Sequence, residues 1–127
     1  MEIIIESTQR FENSLAQLGQ ESKQSVIEKI NDCTRQFPKN KMSVYHNLDQ
    51  AKSFALPNNY QSSLYILYVS PNLRVILTID EDPIFSQAIF TLFDVVSSKN
   101  VEKAHREIAA DLYKDLTTAN QEIAQVS

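Results

Sequence analysis

SLYILYVSPNLRVILTIDEDPIFSQAIFTLFDVV, residues Ser63–Val96, is the stretch whose reading decides the fold. Aliphatic, β-branched and aromatic residues fill three runs of it, and turn formers bound each run, which marks strands rather than helix. Ser70-Pro71-Asn72 closes the first hairpin, because proline presets φ for the second position of a type I turn and asparagine tolerates the bridge region after it. Glu81-Asp82-Pro83 closes the second. In the middle run Leu73, Val75, Leu77 and Ile79 alternate with Arg74, Ile76, Thr78 and Asp80, so the first set should face a helical layer. The last run, Ile84 to Val96, is apolar on both parities, which predicts a central or doubly covered strand.

Upstream, Ile3-Ile4-Ile5 reads as a first strand, and Ser7 or Thr8 as the N-cap of a helix that runs to about Leu18. Phe11, Leu15 and Leu18 form its apolar stripe, and Gly19 is placed to stop it in the left-handed conformation. A second helix covers about Gln20 to Phe37 with Val26, Ile27, Ile30, Cys33 and Phe37 on its stripe, and Pro38 follows. The two make a helical hairpin, Thr8–Phe37, that can lay one apolar face on the sheet. Pro38 to Ser62 reads as loop with one short strand or helical turn.

Downstream, Ser97 or Ser98 caps a final helix over about 99–120. Val101, Ala104, Ile108, Leu112 and Leu116 share its inner face, while Lys103, Arg106, Glu107, Asp111, Lys114 and Asp115 alternate in sign as on a solvated face. His105 falls among the surface positions. The whole, residues 1–127, is expected to be one α+β domain: an N-terminal strand and a helical hairpin packed on an antiparallel sheet of 3-4 strands, followed by a long C-terminal helix.

Composition narrows the chemistry. The net charge is −4 and the pI about 5.1, so no global positive field draws the chain to nucleic acid or to an anionic membrane. The single cysteine, Cys33, cannot form an internal disulfide, and no Cys/His cluster has metal-ligand spacing, which points to a reducing, cytoplasmic setting and to no bound metal. Cys33 lies on an apolar stripe and reads as a small buried hydrophobe. No apolar run reaches membrane-spanning length. Gly19 is the sole glycine, which rules out a glycine-rich phosphate loop, and no cofactor is called for. One stretch is basic: Arg35, Lys39, Lys41 and Lys52 stand against Asp49 alone, with Tyr45 and His46 between them. Tyr65 and Tyr68 have opposite parity, so one packs inward and the other outward. Arg74 could pair with Asp80 or Asp94 as an ordinary surface residue.

The order strand, helical hairpin, three antiparallel strands and helix resembles that of the RelE/ParE superfamily of bacterial toxins. Phe11–Leu18 resembles the family's phenylalanine-and-leucine first helix, Leu73–Asp80 its arginine-bearing central strand, and Ile89–Ser98 its last strand and the loop after it. The resemblance covers roughly residues 2 to 101 and leaves the C-terminal helix as an extension. It implies the toxin of a type II toxin–antitoxin system. RelE-like members cut messenger RNA on the ribosome without a metal, whereas ParE-like members inhibit DNA gyrase without cutting anything. Cleavage needs a base for the 2′-hydroxyl, cations for the pentacovalent phosphate and an acid for the leaving oxygen. Carried over by position, the resemblance implies Arg74, His46 and His105 as catalytic residues and Lys41, Lys52 and Lys99 as substrate contacts. It also implies a cognate antitoxin as protein partner, with ribosome-bound mRNA as substrate, and leaves a homodimer open. A non-enzymatic inhibitor of a protein target and an inactive interaction module are the alternatives.

Overall fold

A computed structural model describes residues 1–50 and 64–112 of the chain. Lys52, and the part of the expected final helix past residue 112 with Lys114, Asp115 and Leu116, lie outside the described residues. The elements are β1 (Glu2–Ser7), α1 (Gln9–Ala16), α2 (Gln20–Gln36), α3 (Lys41–Asn47), β2 (Asp49–Gln50), β3 (Leu64–Ser70), β4 (Leu73–Asp82), β5 (Gln87–Ser97) and a last helix, α4, described over 101–112.

The strands form one sheet in the order β1-β5-β4-β3-β2. β3, β4 and β5 are the antiparallel meander expected of Ser63–Val96, and β1 joins β5 in parallel. Among the described residues β2 adds Asp49 and Gln50 beside Ile66 and Tyr65. As its apolar residues on both parities require, β5 is an interior strand.

It begins later than the sequence suggests. Ile84 and Phe85 belong to the turn and are 85% and 73% exposed. Asp82 causes this: its Oδ1 accepts from the amides of Ile84 and Phe85, at 3.0 and 3.3 Å, and so folds the chain back locally. Ser86 closes the turn at φ 52°.

Helices cover both faces. Val75, Leu77 and Ile79 of β4 pack with Phe11, Val26, Ile30, Phe37, Val44 and Leu48 from the α1–α3 side. The opposite parity does not face water, since Leu64 and Ile76 pack against Ala104, Ile108 and Ala109 of α4. Phe37 stands edge-on to both Phe90 and Tyr45, with centroids 5.2 and 5.5 Å away, and knits α2 and α3 to the sheet.

Two helix ends differ from expectation. Gly19 has φ −65° and is the N-cap of α2, not a left-handed stop for α1. Helix α4 starts at residue 101, with the Asn100 carbonyl accepting from Ala104. Thr8, by contrast, caps α1 as its position suggests, accepting from the Phe11 amide at 3.1 Å. Cys33 is half-buried against the core, and burial pushes its thiol up to about 11.

Candidate functional site

A register shift in the β4–β5 ladder sets up the charged centre of the molecule. Ile76 pairs with Asp94 and Leu77 with Leu92, so Phe93 is an extra residue on β5. Its carbonyl, freed from the ladder, accepts from the Thr8 hydroxyl at 3.0 Å, which also donates to Leu92 O at 3.1 Å. The next residue, Asp94, is turned to the α4 side of the sheet, opposite Ile76, and is 3% exposed. Its Oδ2 accepts from Arg10 Nε at 2.9 Å and its Oδ1 from the Val95 amide at 2.9 Å. Arg10 Nη2 continues to Glu107 Oε2 on α4 at 2.7 Å. Burial works against the Arg10 charge, but the bonds to Asp94 and Glu107 outweigh it and hold the guanidinium above its usual pKa. These three residues tie α1, β5 and α4 together; neither composition nor spacing singles out Arg10.

Arg74 therefore pairs with neither Asp80 nor Asp94. Its Nη1 donates to the carbonyls of Ser70 and Leu73, at 2.6 and 2.9 Å. Its guanidinium lies 4.4 Å from the centroid of the Tyr68 ring, its cross-strand neighbour. Tyr68 is outward and 48% exposed, while Tyr65 packs inward beside Tyr45, as their parities predict. The stack fixes the guanidinium plane and leaves Nε and Nη2 without a hydrogen-bond partner among the described residues. Such an edge can grip one phosphate with two parallel hydrogen bonds. Tyr68 also borders a cleft of about 340 Å³ between α2, α3 and β3, lined further by Cys33, Gln36, Leu48 and Leu67.

The remaining residues named from the sequence fall in several places. Exposed Lys99 sits in the 97–100 loop, which is held beside the β3–β4 turn by the Ser98 amide bonded to Asn72 O at 2.9 Å. It shares that end of the sheet with Arg74, which pairs with Val96. Lys41 is at the other end of β4, 3.1 Å from Glu81 Oε1. Tyr45 donates to the same carboxylate at 2.9 Å. The bonds from Lys41 and Tyr45 lower the Glu81 pKa, and burial first, then Glu81, raises that of Tyr45. His46 is exposed on α3, in the layer across the sheet from the Arg74 face. His105 is not a surface residue: it is 4% exposed, and burial lowers its pKa. The inner face of α4 is wider than a single stripe, because Ala109 lies one turn beyond His105 and is buried with it. Structure thus brings Arg74, Tyr68 and Lys99 to one corner, leaves Lys41 at the other end of β4 and His46 in the opposite layer, and buries His105.

No protein-family model and no curated protein matches the sequence. Solved structures do match. A chain of the RelBE2 toxin–antitoxin complex from Mycobacterium tuberculosis superposes with a TM-score of 0.50 at 11% identity, over 76% of this chain and 99% of that one. The YoeB/ParE toxin from Agrobacterium tumefaciens gives a TM-score of 0.45 at 13% identity, over 76% of this chain and 98% of that one. At these identities the likeness is one of architecture. In architecture, the chain has a RelE/ParE-like toxin fold.

Proposed function

We propose that this chain is the toxin of a type II toxin–antitoxin pair, held by a cognate antitoxin, and that it acts in the cytoplasm as a metal-independent endoribonuclease of the RelE kind. The observation that carries the RNA reading is the Arg74–Tyr68 stack, 4.4 Å from guanidinium to ring centroid. Two backbone carbonyls hold Nη1, so the free edge is preoriented and loses little freedom on meeting a phosphate. The half-exposed ring beside it suits an unstacked base, the usual handle for single-stranded RNA. Lys99, on the adjoining loop, adds a cation for a neighbouring phosphate. Arg74 would then hold the scissile phosphate and stabilise its added negative charge.

A second reading has its own support. His105 is 4% exposed and His46 stands in the layer across the sheet from Arg74, so the Arg74 face presents no exposed imidazole to move a proton. That distribution favours a non-enzymatic toxin that binds a target through the same corner. Induced expression in bacteria, with growth and transcript integrity followed together, separates the two. Translation-dependent cleavage by wild type, reduced well below it in Arg74→Lys and lost in Arg74→Ala with both variants still folded at the assay temperature, is the expected outcome. Growth arrest with intact transcripts moves the protein to the second reading, and full cleavage by Arg74→Ala removes this residue from the chemistry.

A further inference from the structure

Among the described residues, strand β1 lies at the edge of the sheet, paired with β5 on one side only. Along a parallel pair, the amide and carbonyl of one residue point to the same side, and successive residues alternate sides. Glu2 donates to Ser86 O at 2.9 Å and Thr8 to Leu92 O at 3.0 Å, so Glu2, Ile4 and Glu6 face β5. Ile3, Ile5 and Ser7 consequently turn their main-chain donors and acceptors outward. Ile5 is 45% exposed, and the side chains of Glu2, Glu6 and Ser7 are exposed as well. Among the described residues this is an open, β-branched edge with the backbone groups that another strand needs.

The charges choose the strand. On β5, Glu2 and Glu6 have Gln87 and Thr91 as neighbours, which neutralise nothing. Among the described residues neither glutamate takes part in an ion pair. Pairing β1 with a second copy of itself, antiparallel and centred on Ile4, sets Glu2 opposite Glu6 twice, an arrangement like charges make unfavourable. Sliding that pairing by two residues instead puts a glutamate against Ile4. Self-addition is thereby opposed. A strand with a basic residue at each of two positions four apart meets both carboxylates and sets its intervening β-branched residues against Ile3, Ile4 and Ile5.

We propose that β1 is a docking edge for an extended, lysine- or arginine-flanked segment of another protein, which adds as a further strand of the sheet. The surface owes nothing to the Arg74 corner, and its test is independent of any toxic or nucleolytic activity.

The probe is the peptide acetyl-TKVTVKT-amide, with acetyl-TEVTVET-amide as its charge-reversed control, titrated into the isotopically labelled full chain. Addition of the lysine peptide should shift the amides of Ile3, Ile5 and Ser7 and slow their hydrogen exchange, while those of Glu2, Ile4 and Glu6 change little. The glutamate peptide should bind about tenfold more weakly, as two reversed cross-strand pairs imply. Glu2→Lys with Glu6→Lys, both at exposed positions, should exchange the two preferences. Ile5→Pro removes one outward amide without touching the ladder to β5 and should abolish binding of both. No binding at millimolar peptide, equal binding of the two peptides, shifts centred elsewhere, or a wild-type dimer dispersed by Ile5→Pro would each overturn the proposal.

Discussion

Arg10 and Asp94 are joined at 2.9 Å across the rim of the sheet, the carboxylate 4% exposed and the guanidinium 38%. The geometry makes the arginine the dependent partner in name only, because Asp94 sits opposite Ile76 under α4 and has, among the described residues, one other donor, the Val95 amide. Removing the cation leaves a buried carboxylate half-satisfied. Arg10→Met should therefore cost about 2–3 kcal/mol by denaturant unfolding, below the full cost of breaking a wholly buried pair because Arg10 is partly in water. Arg10→Met with Asp94→Leu should recover most of the loss. Glu107→Gln, at the exposed end of the same guanidinium, should differ from wild type no more than an ordinary surface change. Equal losses from Glu107→Gln and Arg10→Met would show that the buried bond is not what matters.

A pH dependence follows from His105. Burial lowers its folded pKa below the ordinary 6.5, so as pH falls from there the unfolded chain takes up the proton first. Stability should fall as pH drops below about 6.5 and go on falling until the folded pKa is passed. Glu81 and Glu107 also have lowered folded values, so their contribution is present above about 4.5 and lost only at lower pH. The two windows separate. Unfolding curves from pH 7 to 5 should slope in wild type and be nearly flat in His105→Leu, with the acid limb below that range common to both.

What could be read from the sequence is what repeats along it. Alternation in Leu73–Ile79 is a local signal, and it assigned the α1–α3 face of β4 correctly. The opposite parity was legible only in part: Ile76 gave no hint of being 0% exposed, because the helix that covers it lies far on in the chain. The same non-local cause hid His105, whose neighbours in sequence look solvated. Arg10 was invisible for a different reason. Its partners are 84 and 97 residues away, and the register shift that turns Asp94 toward it is not written in any composition or period. At the Arg74 corner the sequence offered parity and charge, but the carbonyls that orient the guanidinium belong to the tight β3–β4 turn and appear only once it is folded.

Thr8 supplies a third test, because one hydroxyl does two jobs. It accepts from the Phe11 amide as the cap of α1 and donates to the Leu92 and Phe93 carbonyls at the bulge of β5. Thr8→Val keeps the shape and β propensity but removes both, and should cost about 1–2 kcal/mol. Thr8→Ser keeps the oxygen and should fall within about 0.5 kcal/mol of wild type, the range of changes that disturb no such feature. If Thr8→Ser loses as much as Thr8→Val, the methyl group and not the hydrogen bonds holds this joint.

The two cores are separable by design of the sheet, and α4 is the place to test that. Phe37, Phe90, Tyr45 and Tyr65 stack on the α1–α3 side, whereas Leu64 and Ile76 are covered by Ala104, Ile108 and Ala109. Deleting residues 100–127 should uncover Leu64 and Ile76 at about 1.5–3 kcal/mol each and create a surface that binds a hydrophobic dye. Ile108→Asp should do the same more gently, by placing a carboxylate in the apolar seam without shortening the chain. In both variants the near-ultraviolet circular dichroism from the aromatic stack should survive, since none of its rings touches α4. In Ile108→Asp, hydrogen exchange should quicken along 101–112 while β4 and β5 stay protected. Loss of the aromatic signal together with dye binding would mean that the sheet cannot stand with one face bare, and that α4 is part of the fold's foundation rather than a cover laid over it.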